Sequence, residues 1–161
     1  MSAKDKLINL LKENNCIFEN KDLELSSGFK SNIYYDIKKA AGIPETFSFI
    51  VNELKNIIPK NSSIVSVSTG GIPYGAALSY EYKNSFAYVR SNRKAYGMKN
   101  MIEGYIDYNK PIYILDDVCT TGSSIIKARN TIGLNEKECF LVCIVNRSKH
   151  KLNISSIIEL K

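Results

Sequence analysis

The stretch Ile112-Tyr113-Ile114-Leu115-Asp116-Asp117-Val118-Cys119-Thr120-Thr121-Gly122-Ser123-Ser124 places two adjacent carboxylates between an apolar run and a group of small hydroxyl residues. Residues 112–115 read as a buried strand, and carboxylates at the end of such a strand need a partner outside the core. After Gly122 the pattern turns helical. Thr120 to Ser124 would therefore offer free backbone N–H groups, hydroxyls and the positive end of a helix dipole. That is the chemistry of a phosphate cradle. Carboxylates beside it suit a sugar diol or a cation, so the ligand should carry phosphate together with one of these.

Three other groups of residues could join that chemistry. Ser68-Thr69-Gly70-Gly71 is a run of small residues through which backbone amides can approach a ligand closely. Lys83, Arg90, Arg93, Lys94 and Lys99 are the densest basic group and surround one polar, glycine-containing stretch, 90–104. Tyr34-Tyr35 offers flat faces, and Arg147 a guanidinium fork suited to a planar carboxylate. His150 has no constellation around it and reads as a surface residue. The cysteines, at 16, 119, 139 and 143, form no C-x-x-C pair and read as reduced and structural.

The elements that must position these residues follow from periodicity. Leu7, Leu10 and Leu11 mark a helix ended by Asn14-Asn15. Phe18 to Asp36 alternates as short strands broken at Ser26-Ser27-Gly28. Phe47, Ile50, Val51, Leu54, Ile57 and Ile58 predict a helix from Pro44 that stops at Pro59. Ile64–Val67 is a strand, Pro73 opens a helix through Tyr82, and Phe86–Val89 is a strand. Residues 90–104 form a long loop. Gly122 to Ile132 is a helix with Gly133 as its cap, Phe140–Val145 a strand, and Ile157–Leu160 a short edge strand. Strands that alternate with helices and are apolar on both faces predict an α/β fold with a mostly parallel central sheet flanked by helices. Ligands bind such sheets beyond the carboxyl ends of the strands, where the groups above fall.

The chain has 161 residues, enough for one domain with a real core. Its net charge of +6 is a mild excess that could serve nucleic acid, though a polyanionic small substrate would equally explain it. No apolar run approaches the roughly 20 residues of a membrane span. The N-terminus reads as an amphipathic helix, not a signal peptide, so the chain is expected in the cytoplasm, with no membrane as partner; nucleic acid is not the partner that the motifs below imply.

Residues 115–123 resemble the phosphoribosyl pyrophosphate signature of type I phosphoribosyltransferases, and this activated ribose 5-phosphate donor has all the features deduced above. Leu25-Ser26-Ser27-Gly28-Phe29-Lys30-Ser31-Asn32-Ile33-Tyr34-Tyr35-Asp36 is similar to a narrower signature, that of the orotate phosphoribosyltransferase family. Tyr88 to Gly97 resembles that family's mobile catalytic loop, and Ile102-Glu103-Gly104 its closing end. Ser68 to Gly75 resembles its pyrophosphate-side loop, and Val145-Asn146-Arg147 the end of its last core strand. The likeness runs from about Phe18 to Arg147 in matching order.

The resemblance implies a single type I phosphoribosyltransferase domain over 1–161, with residues 1–40 contributing a small base-binding hood. It implies transfer of ribose 5-phosphate to orotate, giving orotidine 5′-monophosphate and pyrophosphate, with Mg²⁺ carried by the donor and no direct protein ligand. Asp116, Asp117, Arg90 and Lys94 would be catalytic. Thr120, Thr121, Gly122, Ser123, Ser124, Gly70, Arg90, Arg93, Lys94 and Tyr96 would bind the donor together with the two Asp residues. Ser27, Lys30, Tyr34, Tyr35, Thr120 and Arg147 would hold orotate. A homodimer with shared sites is implied, because the family's loop reaches its neighbour. Ser26, Ser91 and Gly70 stand where some members carry Lys, Tyr96 where some have His, and Asn146 where many have Asp. A purine or xanthine phosphoribosyltransferase would share 116–124 but use a different base-binding segment. A non-catalytic nucleotide sensor on the same fold would not need Lys94 and Glu103.

Overall fold

The computed structural model describes residues 1–24, 30–91, 100–150 and 152–160; for 20–24 and 30–32 it describes the backbone only. Helix α1 spans Ala3–Glu13. It starts with a reciprocal cap: Ser2 Oγ accepts the Asp5 N–H, and the Ser2 N–H donates to Asp5 Oδ2. Strands β1 (Ile17–Glu24) and β2 (Lys30–Tyr35) form a separate antiparallel pair. A short helix α2 (Ile37–Ala40) follows, capped by Asp36, whose Oδ1 accepts the Lys39 N–H at 2.9 Å. Helix α3 is Pro44–Leu54, strand β3 Ser63–Val67, helix α4 Ile72–Tyr82 and strand β4 Ser85–Val89. Then come β5 (Ile102–Gly104), β6 (Ile112–Cys119), helix α5 (Ser123–Thr131), β7 (Cys139–Asn146) and β8 (Ile154–Glu159).

Six strands form the main sheet in the order β5-β4-β3-β6-β7-β8, parallel except for β5. Leu7 and Leu11 of α1, Ile50 and Leu54 of α3, and Tyr74 and Leu78 of α4 pack on one face. Ile125 and Ala128 of α5 pack on the other, against Val65, Ile114 and Leu141. This is the expected α/β architecture with helices on both faces of a mostly parallel sheet. Among the described residues no helix is long and apolar enough to cross a membrane.

The order matters for function. From β3 the chain moves outward to β4 on one side, then returns to place β6 on the other. The loops after β3 and β6 thus diverge at a switch point, where a crevice must open.

Several elements differ from expectation: α2 is unforeseen, and β8 begins at Ile154, three residues before the expected Ile157. Helix α3 ends at Leu54, before Pro59, because the Asn56 and Ile57 N–H groups turn back to Glu53 and Leu54 in tighter i→i+3 bonds. The stretch 90–104 is not loop throughout: its end is β5, which pairs Ile102 with Val89 and Gly104 with Ala87. Strand β6 does not stop at Leu115. Its pairing with β3 ends at Ser66–Leu115, but its pairing with β7 continues to Cys119–Asn146. The carboxylates therefore sit on a strand held from one side and open on the other.

Candidate active site

Asp116 and Asp117 lie on that open stretch of β6. Asp116 is 6% exposed, and its Oδ1 accepts the Asp117 N–H at 2.9 Å. Burial, then the charge of Asp117, holds the Asp116 carboxyl well above the usual carboxylate range. Asp117 is less buried, and its Oδ1 accepts the Val118 N–H at 2.9 Å. Across the switch point the β3 loop approaches so closely that a Cβ on Gly70 would overlap the Asp117 carboxylate. The Ser68–Thr69 peptide of that loop is cis.

The chain after β6 turns through Gly122, whose φ of 81° is one that side chains resist. Helix α5 begins there with no side-chain cap. Thr121 Oγ1 and Ser123 Oγ are 3.0 Å apart, and the Ser123 N–H reaches Thr121 Oγ1 at 3.3 Å. The start of α5 thus offers N–H groups and hydroxyls to a ligand, as a phosphate cradle requires. Behind it lie the thiols of Cys119 and Cys143, both buried and interacting with each other. Their interaction lowers Cys119 from the ordinary thiol value and, with burial, pushes Cys143 far above it.

One pocket is bounded by this stretch, from Asp116 to Ile125, and by Tyr34, Tyr35, Lys38 and Arg147. Arg147 extends β7: its N–H donates to the Cys119 carbonyl at 2.8 Å. Its Nη1 donates to the Ile33 carbonyl at 2.7 Å, and its guanidinium lies 5.7 Å from the Tyr35 ring centroid. This arginine fixes the β1–β2 pair against the sheet while lining the pocket. Burial, opposed by the Arg147 charge, raises the Tyr35 hydroxyl from its ordinary value.

The pocket thus gathers Tyr34, Tyr35, Asp116, Asp117, Thr120, Thr121, Gly122, Ser123, Ser124 and Arg147 from the residues singled out in the sequence. Gly70 touches Asp117 from the neighbouring loop. Arg90 is not among the lining residues; its Nη1 is 3.7 Å from Glu103 Oε1, and its N–H donates to the Met101 carbonyl. Ser27, Arg93, Lys94 and Tyr96 lie outside the described residues, as do Ser26 and the side chain of Lys30. Two lysines of the described region were not singled out in the sequence. Lys38 lines the pocket, and Lys127 Nζ donates to the Ser91 carbonyl at 3.1 Å while the Ser91 N–H donates to Ser68 Oγ. Lys38 lies two residues after Asp36, and no local pattern in the sequence marks it.

Orotate phosphoribosyltransferase of Methanocaldococcus jannaschii is 36% identical over 163 residues, spanning 98% of this chain and 92% of the relative. That of Methanosphaera stadtmanae is 40% identical over 131 residues, spanning 80% and 73%. The chain belongs to the orotate phosphoribosyltransferase family. The crystal structure of orotate phosphoribosyltransferase from Aeropyrum pernix superposes with a TM-score of 0.74 at 25% identity, covering 96% of this chain and 93% of that one. Leishmania donovani UMP synthase shares the fold at a TM-score of 0.78 and 22% identity, covering 99% of this chain and 37% of that one. No family model matches the chain. The orotate phosphoribosyltransferase fold thus accounts for the type I phosphoribosyltransferase architecture seen here.

Proposed function

We propose that this chain transfers ribose 5-phosphate from phosphoribosyl pyrophosphate to orotate, producing orotidine 5′-monophosphate and pyrophosphate for pyrimidine synthesis. The observation that carries this is one pocket in which a carboxylate pair and a phosphate cradle face two tyrosines and an arginine. Family membership supports the same reaction.

The donor's 5-phosphate would sit on Thr120 to Ser124, and Asp116 and Asp117 would face the ribose hydroxyls. Tyr34 and Tyr35 offer flat faces to the pyrimidine, and Arg147 a cation to its carboxylate. Displacement at the anomeric carbon builds positive charge on the ribose, which the Asp117 carboxylate would stabilise. No covalent nucleophile is needed; position and electrostatics suffice. Arg90, Arg93, Lys94 and Tyr96 would bind the departing pyrophosphate, in a homodimer whose loops reach the neighbouring site. Residues 1–40 would contribute the hood over the base within a single domain, and the enzyme would act in the cytoplasm.

Among the described residues no group of three or more His, Cys, Asp or Glu could hold a metal. Two adjacent carboxylates instead suit Mg²⁺ that keeps waters and phosphate oxygens as ligands. Asp116 and Asp117 would hold it through water, and its charge would neutralise the pyrophosphate.

The reverse reaction offers a test. Purified protein given orotidine 5′-monophosphate, pyrophosphate and Mg²⁺ should release orotate, read by its ultraviolet absorbance. Donor binding with no orotate release would remove the activity.

A further inference from the structure

Asp36 and Tyr74 hold the short helix α2 firmly. The Asp36 carboxylate caps it, and the buried Tyr74 hydroxyl donates to the Ile37 carbonyl at 2.7 Å. Ile37 is turned into the core, 1% exposed. The two lysines that follow take different surroundings. Lys39 Nζ donates to the Asn15 carbonyl at 3.0 Å and lies 5.9 Å from the Phe18 ring centroid, so it ties β1 to α2. Lys38 lines the pocket and makes no hydrogen bond or ion pair with any described residue.

The charges of the pocket give Lys38 a task. Its described lining carries Asp116 and Asp117 on one side of the balance and Arg147 and Lys38 on the other. No described cation forms an ion pair with either carboxylate. An anionic substrate must therefore enter against their charge. Arg147 already donates to Ile33 and packs over Tyr35, so part of its fork is engaged by the β1–β2 pair. Lys38 stands on a rigid helix with an uncommitted ammonium.

We propose that Lys38 is a substrate-binding residue whose ammonium pairs with an anionic group of the bound nucleotide. This rests on the activity proposed above. The anion has two possible sources in that ligand: the 5-phosphate in the cradle, or the carboxylate on the base.

Equilibrium binding of two nucleotides separates them. Orotidine 5′-monophosphate carries both anions, and uridine 5′-monophosphate only the phosphate. Calorimetric Kd values would be measured for wild-type protein, Lys38→Met, Lys38→Arg, and Lys60→Met as a remote change of equal charge. If Lys38 pairs with the phosphate, K38M weakens both nucleotides about tenfold. If it pairs with the carboxylate, only orotidine 5′-monophosphate weakens. In either case K38R restores most of the affinity and K60M changes neither Kd. Lys38 is exposed, so K38M should melt within a degree or two of wild type, which excludes misfolding as the cause. Unchanged Kd values for both nucleotides in K38M would overturn the inference, and so would an equal loss in K60M. Turnover is read separately: a wild-type protein that binds both nucleotides but converts no base would overturn the activity and leave this comparison standing.

Discussion

The Cα of Gly70 lies against the Asp117 carboxylate, so close that a methyl group on Gly70 would overlap Oδ1, Oδ2 and Cγ. A loop after β3 and a carboxylate on β6 thus share one space across the switch point. Asp117 has little room to withdraw, because its Oδ1 accepts the Val118 N–H. Gly70→Ala should push the carboxylate out of the crevice and lower kcat/KM at least about tenfold, while overpacking costs roughly 1–3 kcal/mol of stability. Steady-state kinetics with thermal melting checks both; wild-type kcat/KM would show that the carboxylate moves without consequence.

Asp117 is the more exposed of the pair and the one the proposed mechanism assigns to the ribose charge. Asp117→Asn keeps the shape and the Val118 hydrogen bond but removes the charge. The expected result is a loss of about a hundredfold or more in kcat with little change in melting temperature. Equal turnover in a folded variant would remove Asp117 from the mechanism.

Asp116 should leave a signature in stability against pH. Burial and the neighbouring charge raise its folded pKa above the unfolded value. The folded state therefore binds the proton more tightly, and ionisation costs stability as pH rises from the unfolded pKa to the folded one. Above the folded pKa the whole cost is present. Asp116→Asn lacks it, so this variant should melt a few degrees higher than wild type at neutral pH. The gain should shrink as pH falls and vanish below the unfolded pKa. A gain independent of pH would contradict this origin.

Much of this arrangement is legible in the chain. The apolar run before Asp116, the hydroxyl cluster around Gly122 and the i, i+3, i+4 pattern of Phe47 to Leu54 each carry their own local signal. Other features depend on tertiary partners. The extension of β6 past Leu115 comes from β7, which the period of residues 112–115 cannot reveal. Helix α2 has only four residues, too few to show a helical period, so Lys38 is not visible as a pocket residue. Strand β5 reads as loop because its three residues gain order from β4. The approach of Gly70 to Asp117 joins segments that are distant in sequence, and only the strand order brings them together.

Tyr74 links the helical layer to the site. Its hydroxyl, buried and raised above its ordinary pKa chiefly by burial, holds the Ile37 carbonyl. Tyr74→Phe should cost about 1–3 kcal/mol, since a buried carbonyl loses its donor. It should also loosen α2, so binding of orotidine 5′-monophosphate should weaken in this variant. Denaturant unfolding and calorimetry together check this; unchanged stability would mean that the carbonyl finds another donor.

The central claim is tested most directly by pyrophosphate release from phosphoribosyl pyrophosphate and Mg²⁺, with orotate, uracil, adenine, hypoxanthine and xanthine offered separately. Turnover with orotate alone is the predicted result. Turnover with a purine, and none with orotate, would contradict the assignment of Tyr34, Tyr35 and Arg147 to an acidic pyrimidine.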